Sequence, residues 1–544
     1  RLSVAQRAYA LLKSQSRPST AADWTATRKG GNDAALVFEA AGGAPLDTVR
    51  VPGFFTYSGF QLSFIEPLGD ISERIKRERW VLGSAGDQST LAAQYDNLPD
   101  QMLDLYTRDF VAAWRDALGK LRLRKLLADK PKYIALSALG APTSPLKQLL
   151  VSIDEETMLT RERKAPPPPA GSATTPATPA AAKPLPPLFK SQDRAPGANI
   201  EAEFKAIHAA LEGGSARAPI DDIVATLNEI ASNLILAATT PSQTSRANTA
   251  LQEQVSKLRN SAARLPTPFS DMLRAAVGEF EGDVASSTAG QLQIALRDQV
   301  FAACQQAITG RYPFTRGSER EVPLADFSRL FSPNGVMDKF FTQYLAPYAD
   351  TSKSVWTWRA GAPITSLLSP NTLRDFQRAA EIRDAFFQTG GNQPMVSLAI
   401  RPPAVTGVSA KFESGGVVVA GPAASPAPAP ASPPGFGGRA PPPPTPPPAA
   451  GSVSPTTVQW PGASPRTAIS VTADAGGAPS VLERSGAWSL FKFLEAGNMQ
   501  VRGETATATF IVGGRELRYQ ITSGSLRNPL NLSALREFRC PSGI

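Results

Sequence analysis

The hydrophobic period changes near residue 390, and no single layer of structure satisfies both halves. Before that point apolar residues recur at three- and four-residue steps. Leu103, Tyr106, Phe110, Trp114, Ala117 and Leu121 mark one face of a helix in this way. After it the step is two. Ala506, Ala508, Phe510 and Val512 alternate with Thr505, Thr507 and Thr509, and beyond Gly513-Gly514 the residues Leu517, Tyr519 and Ile521 alternate with Arg518 and Gln520. That pattern reads as a β-hairpin whose two-residue turn uses the glycines for positive φ. The fold class expected is α+β and multidomain, with helical domains followed by a C-terminal β-sandwich-like domain. A length of 544 residues exceeds what one core usually organises, which agrees.

Two Pro-rich stretches punctuate the pattern and hold much of the 50 prolines, about twice the usual share. The expected organisation is a mainly helical domain over 1–164, a Pro-rich linker over 165–196, a helical bundle over 197–389 and a β-rich domain over 390–544. In the bundle, Phe204, Ile207, His208 and Leu211, then Ile223, Leu227, Ile230 and Leu234, then Leu251, Val255 and Leu258 keep helical spacing. Leu292, Leu296, Val300, Cys304 and Ile308 follow at steps of four, which turns Cys304 toward a core. The second Pro-rich stretch, about 421–452 with Pro441 to Pro444, has strand candidates on both sides (395–400, 417–419, Ile469 and Val471). It reads as a loop insertion, which costs little stability when it projects into solvent. Residues 487–494 suit a short helix.

Composition removes several function classes. Lys and Arg number 56 against 47 Asp and Glu, and the excess of +9 is spread along the chain, without the basic run and interleaved aromatics of a nucleic-acid platform. No nucleic acid is expected as a partner. No window approaches the roughly 18 apolar residues of a membrane span, so the chain is expected to be soluble, with any transmembrane segment outside it. It starts at Arg1 and reads as a fragment or a mature product. The single histidine, His208, on an apolar helical face, reads as a satisfied core residue and rules out any metal site needing two imidazoles. No phosphate-binding loop of the Gly-x-x-x-x-Gly-Lys-Ser/Thr kind occurs. Acid runs such as Asp154-Glu155-Glu156 and Asp221-Asp222 suit helix caps better than the paired acids of a glycan hydrolase. The expectation is no enzyme, no catalytic residue, no cofactor and no metal.

A series of short motifs resembles the C-terminal half of the IcmF/TssM family of type VI secretion proteins. The first is Val51-Pro52-Gly53-Phe54-Phe55-Thr56. The second set is Gly310-Arg311-Tyr312-Pro313-Phe314, Val322 to Phe327, Phe331 to Gly335 and Asp338-Lys339-Phe340-Phe341. The third is Gln459-Trp460-Pro461-Gly462, Ser485-Gly486-Ala487-Trp488-Ser489-Leu490-Phe491 and Phe538-Arg539-Cys540-Pro541. The departures are the Pro-rich insertions and Asn334 and Met337 in the second set, so linker lengths do not carry over.

These residues read as structural. Pro52 and Gly53 suit a turn anchored by Phe54 and Phe55. Pro313 suits a chain reversal flanked by Tyr312 and Phe314, Asn334-Gly335 suits a helix stop, and Trp460 and Trp488 are large enough to dominate a small β core. The resemblance implies the periplasmic portion of an inner-membrane-anchored subunit of the type VI secretion membrane complex. Its β domain would meet the outer-membrane lipoprotein TssJ, and the chain would work beside the inner-membrane subunit TssL and associate with itself into a ring lining the trans-envelope channel. A periplasmic cell-wall-acting enzyme is the alternative. Residence in the periplasm would allow Cys304 and Cys540 to pair, a bond that would constrain the unfolded chain by roughly 4 to 5 kcal/mol.

Overall fold

The computed structural model describes residues 3–16, 21–78, 97–161, 189, 195–213, 217–240, 243–421, 453–525 and 527–544. The two Pro-rich stretches, 165–187 and 422–452, lie outside the described residues. The chain forms two compact units, Arg1–Val284 and Ala285–Ile544.

The first unit is helical. We number its principal helices α1 (Val4–Gln15), α2 (Glu66–Glu78), α3 (Leu98–Gly119), α4 (Pro145–Thr157), α5 (Lys205–Leu211), α6 (Pro219–Thr239), α7 (Thr244–Ala262) and α8 (Phe269–Leu296). Ser3 opens α1 with a capping box, its hydroxyl accepting from the Gln6 N–H while the Gln6 side chain accepts from its own. On α3 the residues Tyr106, Phe110, Trp114 and Ala117 are buried as their spacing implies. Leu121 is buried too, but the helix ends at Gly119 and Leu121 sits on the short strand Leu121–Leu123, paired with Phe38–Ala40.

The turn at residues 52–59 organises this core. Phe55 N–H donates to the Pro52 carbonyl at 2.8 Å, and the Thr56 hydroxyl donates to Gly53 O at 2.7 Å while accepting from Gly59 N–H at 3.1 Å. Chain closes on chain so tightly that a Cβ on Gly59 would stand 2.1 Å from Gly53 O. Burying such a turn requires partners for its carbonyls. Helix α3 supplies them: Tyr106 donates to Phe54 O at 2.7 Å and Trp114 Nε1 donates to Phe55 O at 2.9 Å. Those two aromatic side chains therefore fill the core and close its polar account together.

The division between the units falls at Val284, inside the segment 197–389 read from the sequence as one bundle. The reason is visible in the packing. Phe204 sets its ring against Trp114 and Phe110, with centroids 6.2 and 6.3 Å away. Glu279 on α8 accepts from the backbone N–H groups of Leu126 and Leu127. The helices that follow the first Pro-rich stretch thus complete a core begun before it. Phe204 itself interrupts the helical run, separating the helix Ala198–Glu203 from α5.

In the second unit the helices are α9 (Ala302–Ile308), α10 (Leu324–Phe331), α11 (Val336–Phe340) and α12 (Pro370–Phe386). Five residues at strict four-residue steps overshoot a 3.6-residue turn by about 40° each time. A wide π turn, Arg297–Phe301, takes up some of that drift between the end of α8 and α9. Leu296, Val300 and Cys304 consequently share one buried face.

The β region follows: β1 (Val396–Arg401), β2 (Val408–Ser414), β3 (Val417–Ala420), β4 (Thr456–Trp460), β5 (Arg466–Ala473), β6 (Ser480–Ser485), β7 (Asn498–Arg502), β8 (Thr505–Val512) and β9 (Arg515–Ser523), with α13 (Ser489–Ala496) between β6 and β7 and α14 (Ser533–Glu537) after β9. They form two antiparallel sheets, ordered β4-β1-β9-β8-β7 and β6-β5-β2-β3. Gly513 and Gly514 both have positive φ in the β8–β9 turn. Phe412 on β2 meets Tyr519 on β9 at 5.5 Å, and Phe493 of α13 completes the contact. The expected α+β class is the one observed.

Tyr106→Phe leaves the Phe54 carbonyl buried without its donor and is expected to destabilise the first unit by about 1–3 kcal/mol. Hydrogen exchange along α3 reads the loss locally, and unchanged exchange there would contradict the assignment.

Candidate interaction unit and its aromatic seam

The motif residues of the second unit converge on one seam between its helices and its sheets. Trp488, fully buried at the start of α13, sits 4.6 Å from Trp460, 5.1 Å from Phe327 and 5.7 Å from Phe491, ring centre to ring centre. Phe386, the last residue of α12, joins the same group. The indole N–H groups decide the placement, since a buried indole needs an acceptor. Trp488 Nε1 donates to Val322 O at 2.8 Å and Trp460 Nε1 donates to Ala487 O at 2.8 Å. Trp488 is therefore not a residue of the β core alone, as its sequence neighbourhood suggests. Its acceptor lies just before α10, so it welds the β region to the helices.

Around that weld runs a polar clasp. Tyr312 pairs with the chain at residues 320–322, accepting from Val322 N–H at 2.9 Å and donating its own N–H to Arg320 O at 2.8 Å. This brings Glu321 beneath Gly486, where a Cβ would stand 2.2 Å from the carboxylate. Gly486 has φ +115°, a conformation that only glycine adopts comfortably. Lys492 on α13 reaches Glu321 at 3.1 Å. Burial, with the neighbouring Glu495 carboxylate, pushes the Tyr312 hydroxyl well above its ordinary pKa, so it stays neutral.

The remaining motif residues flank the seam. Phe314 stacks on Phe331 at 5.5 Å, and Arg311 is half-buried before Tyr312. Gly335 caps the start of α11, after Asn334 in a left-handed conformation. The residues read as a helix stop thus lie between two helices, α10 and α11. Asp338 accepts from Asn334 N–H at 2.9 Å and pairs with Arg383 on α12. Phe341 packs on Trp356 at 4.8 Å. Pro461 and Gly462 are exposed where β4 turns away from the seam. Pro52, Gly53, Phe54 and Phe55 belong to the first unit and take no part here. Cys304 and Cys540 are joined in a disulfide, with their Cα atoms 5.8 Å apart.

Of the residues weighed for chemistry, Asp221 and Asp222 stand in the first turn of α6 as expected, whereas Asp154, Glu155 and Glu156 fall in the last turn of α4; Glu155 is exposed, and His208 Nε2 is buried without a partner among the described residues. His208 Nδ1 lies 2.5 Å from an Asp154 carboxylate oxygen, linking α5 to α4. Glu156 accepts from Tyr57 N–H and pairs with Lys29, Asp221 pairs with Lys147, and Asp222 lies 4.0 Å from Arg217. Among the described residues no group of three or more His, Cys, Asp or Glu could hold a metal ion. None of their helices is long and apolar enough to cross a membrane. Sequence reasoning passes over Glu321, Phe386 and Lys492. Glu321 and Lys492 each lie directly beside a recognised motif but read as solvated charges, while Phe386 lies far from any of the motifs in sequence.

Three stretches of the chain match known family models. Residues 1–158 match the one described as "IcmF-related: Intracellular multiplication and human macrophage-killing". Residues 287–392 match the "Type VI secretion protein IcmF helical domain", and 449–525 the "Type VI secretion protein IcmF C2-like domain". The chain is 28% identical over a 569-residue alignment to the type VI secretion system component TssM1 of Pseudomonas aeruginosa, covering all of this chain and 48% of that protein. It therefore spans about half the length of this curated relative. Its fold is similar to a chain of a type VI secretion system membrane core complex (TM-score 0.68, 17% identity, 100% of this chain and 99% of the other). It is also similar to a chain of a type VI membrane complex (TM-score 0.63, 16% identity, 99% and 92%).

Gly486→Ala is expected to destabilise the second unit by about 1–3 kcal/mol, because it forces both a glycine-only backbone and a shift of Glu321. A lowered urea midpoint with the first unit's hydrogen exchange unchanged checks this, and a neutral result would remove the clasp from the account.

Proposed function

Because the chain belongs to the IcmF/TssM family of type VI secretion proteins, we propose that it is the periplasmic portion of an inner-membrane-anchored scaffold bridging toward the outer membrane. The observation that carries the reading is the order of the three family domains along one chain, two of them meeting at the buried seam around Trp488. A scaffold needs domains held at a set angle, and large buried aromatics with satisfied polar atoms supply that stiffness. No step of chemistry is assigned to any residue.

In this reading the β region docks the outer-membrane lipoprotein TssJ, the helices contact further copies of the chain in a ring that lines the channel, and TssL is met near the inner membrane. Among the described residues the two sheets end at β4 and β7 and at β6 and β3, and sheet edges suit a protein partner. The Cys304–Cys540 bond supports an oxidising compartment.

The test uses the purified full chain and a lipid-free TssJ lipoprotein. Saturable binding is expected by interferometry, and the same sample is expected to release no soluble fragments from purified peptidoglycan. A folded chain that fails to bind would remove the docking role, and release of glycan fragments would favour a cell-wall enzyme instead.

A further inference from the structure

Residues 538–544 lie as a strap across the helices of the second unit. The Phe538 ring, 1% exposed, is set against Phe331 at 5.1 Å and Phe314 at 5.8 Å. Cys540 is bonded to Cys304 on α9. The Gln293 side chain on α8 then holds the strap twice, donating from Nε2 to Ser542 O at 3.1 Å and accepting from Ile544 N–H at 2.8 Å. Thr372 on α12 donates its hydroxyl to Gly543 O. Every anchor but Phe314, which lies in the turn between α9 and α10, belongs to a helix, whereas the strap itself continues from β9 through α14.

The β region is thus attached to the helices along the chain at both of its ends. One attachment is the short link from α12 to β1. The other is the strap, and only the strap carries a covalent cross-connection. We propose that the strap is an oxidation-set lock: with Cys304 and Cys540 bonded, the strap end of the β region is fixed covalently to the helices, and with the thiols reduced that end is held only by non-covalent contacts, among them the Phe538 ring, the hydrogen bonds to Gln293 and Thr372 and the Arg378–Glu537 pair, beside the Trp488 seam. The reaction is thiol–disulfide exchange. The two thiols give up two protons and two electrons to a disulfide-bearing oxidant, which leaves as two thiols, and one sulfur–sulfur bond forms as another breaks. Cys304 is fully buried and Cys540 only partly, so an oxidant or reductant reaches the pair through Cys540. The four-step spacing and the π turn matter here, because they keep Cys304 on the face that the strap crosses.

The inference rests on the periplasmic reading above only for where the oxidant is met; the lock follows from the contacts. It implies an order of events in which the chain folds reduced, with a loosely held strap, and gains its covalent fixing once it meets an oxidising compartment.

The experiment uses the purified full chain without any partner, so its outcome is independent of lipoprotein binding. The chain is treated with glutathione disulfide, its free thiols are counted, and hydrogen exchange is followed before and after reduction with a phosphine. Oxidation is expected to leave no free thiol. Reduction is expected to speed exchange in residues 538–544 by about tenfold or more while α8 and β8 keep their protection. Cys540→Ser is expected to reproduce the reduced pattern, and if that variant folds poorly the reduced wild-type chain gives the same reading. Two free thiols after oxidation would overturn the proposal, as would a strap whose exchange ignores reduction. Loss of protection across the whole unit would overturn it too, since the bond would then be a requirement of the fold.

Discussion

The second unit depends on the hydrogen bond from the Trp488 indole to the Val322 carbonyl. Burying a tryptophan removes 150–250 Å² from water, worth roughly 4 to 6 kcal/mol at the usual coefficient, but only if its N–H finds an acceptor. Without one the desolvation of that single group returns much of the gain. The acceptor here is a backbone carbonyl from the helical region, so α13 packs in this position only when residues 312–322 have folded back to present it. Tyr312, paired on both sides of that segment, is what folds it back. The seam is in this sense conditional: the hydrophobic term supplies the energy, and the two polar contacts select the geometry.

The first unit solves a similar problem by the same means. Its central turn would bury carbonyls that no regular element can satisfy, and Tyr106 and Trp114 satisfy them from α3 while filling the core with their rings. In both units an amphipathic aromatic residue joins a turn to a helix. That choice is economical for a scaffold, because one side chain contributes area and direction together. It also accounts for the aromatic character of the motifs without assigning them any ligand.

Much of this is legible in the sequence, and the rest is hidden for identifiable reasons. The change of period announces the α+β class, and the hairpin 505–523 is readable down to its glycine turn because one face is buried and alternation survives. Strand β6 escapes because it is an edge whose residues are exposed on both faces, so no alternation is left to see. The unit boundary at Val284 is hidden because a Pro-rich stretch looks like a border, whereas the packing of Phe204 against Trp114 across it leaves no local trace. Trp488 is recognisable as large and buried, but its neighbours in sequence are a strand and a short helix of the β region, and its acceptor is 166 residues away. Periodicity reports which face a residue turns inward and is silent on what waits there.

The four-residue spacing before Cys304 shows how a local irregularity carries a long-range consequence. A regular helix would rotate Leu292, Leu296, Val300, Cys304 and Ile308 progressively off any single face, by about 160° over the four steps. The chain keeps them together by widening one turn at Arg297–Phe301, at some cost in hydrogen-bond geometry. What the widening secures is the approach of α9 to the strap, with Cys304 buried under Cys540 and Gln293 one turn before the first widened residue still able to grip the strap's end. The irregular turn is therefore best understood from the far end of the chain, by what it lets residues 538–544 reach.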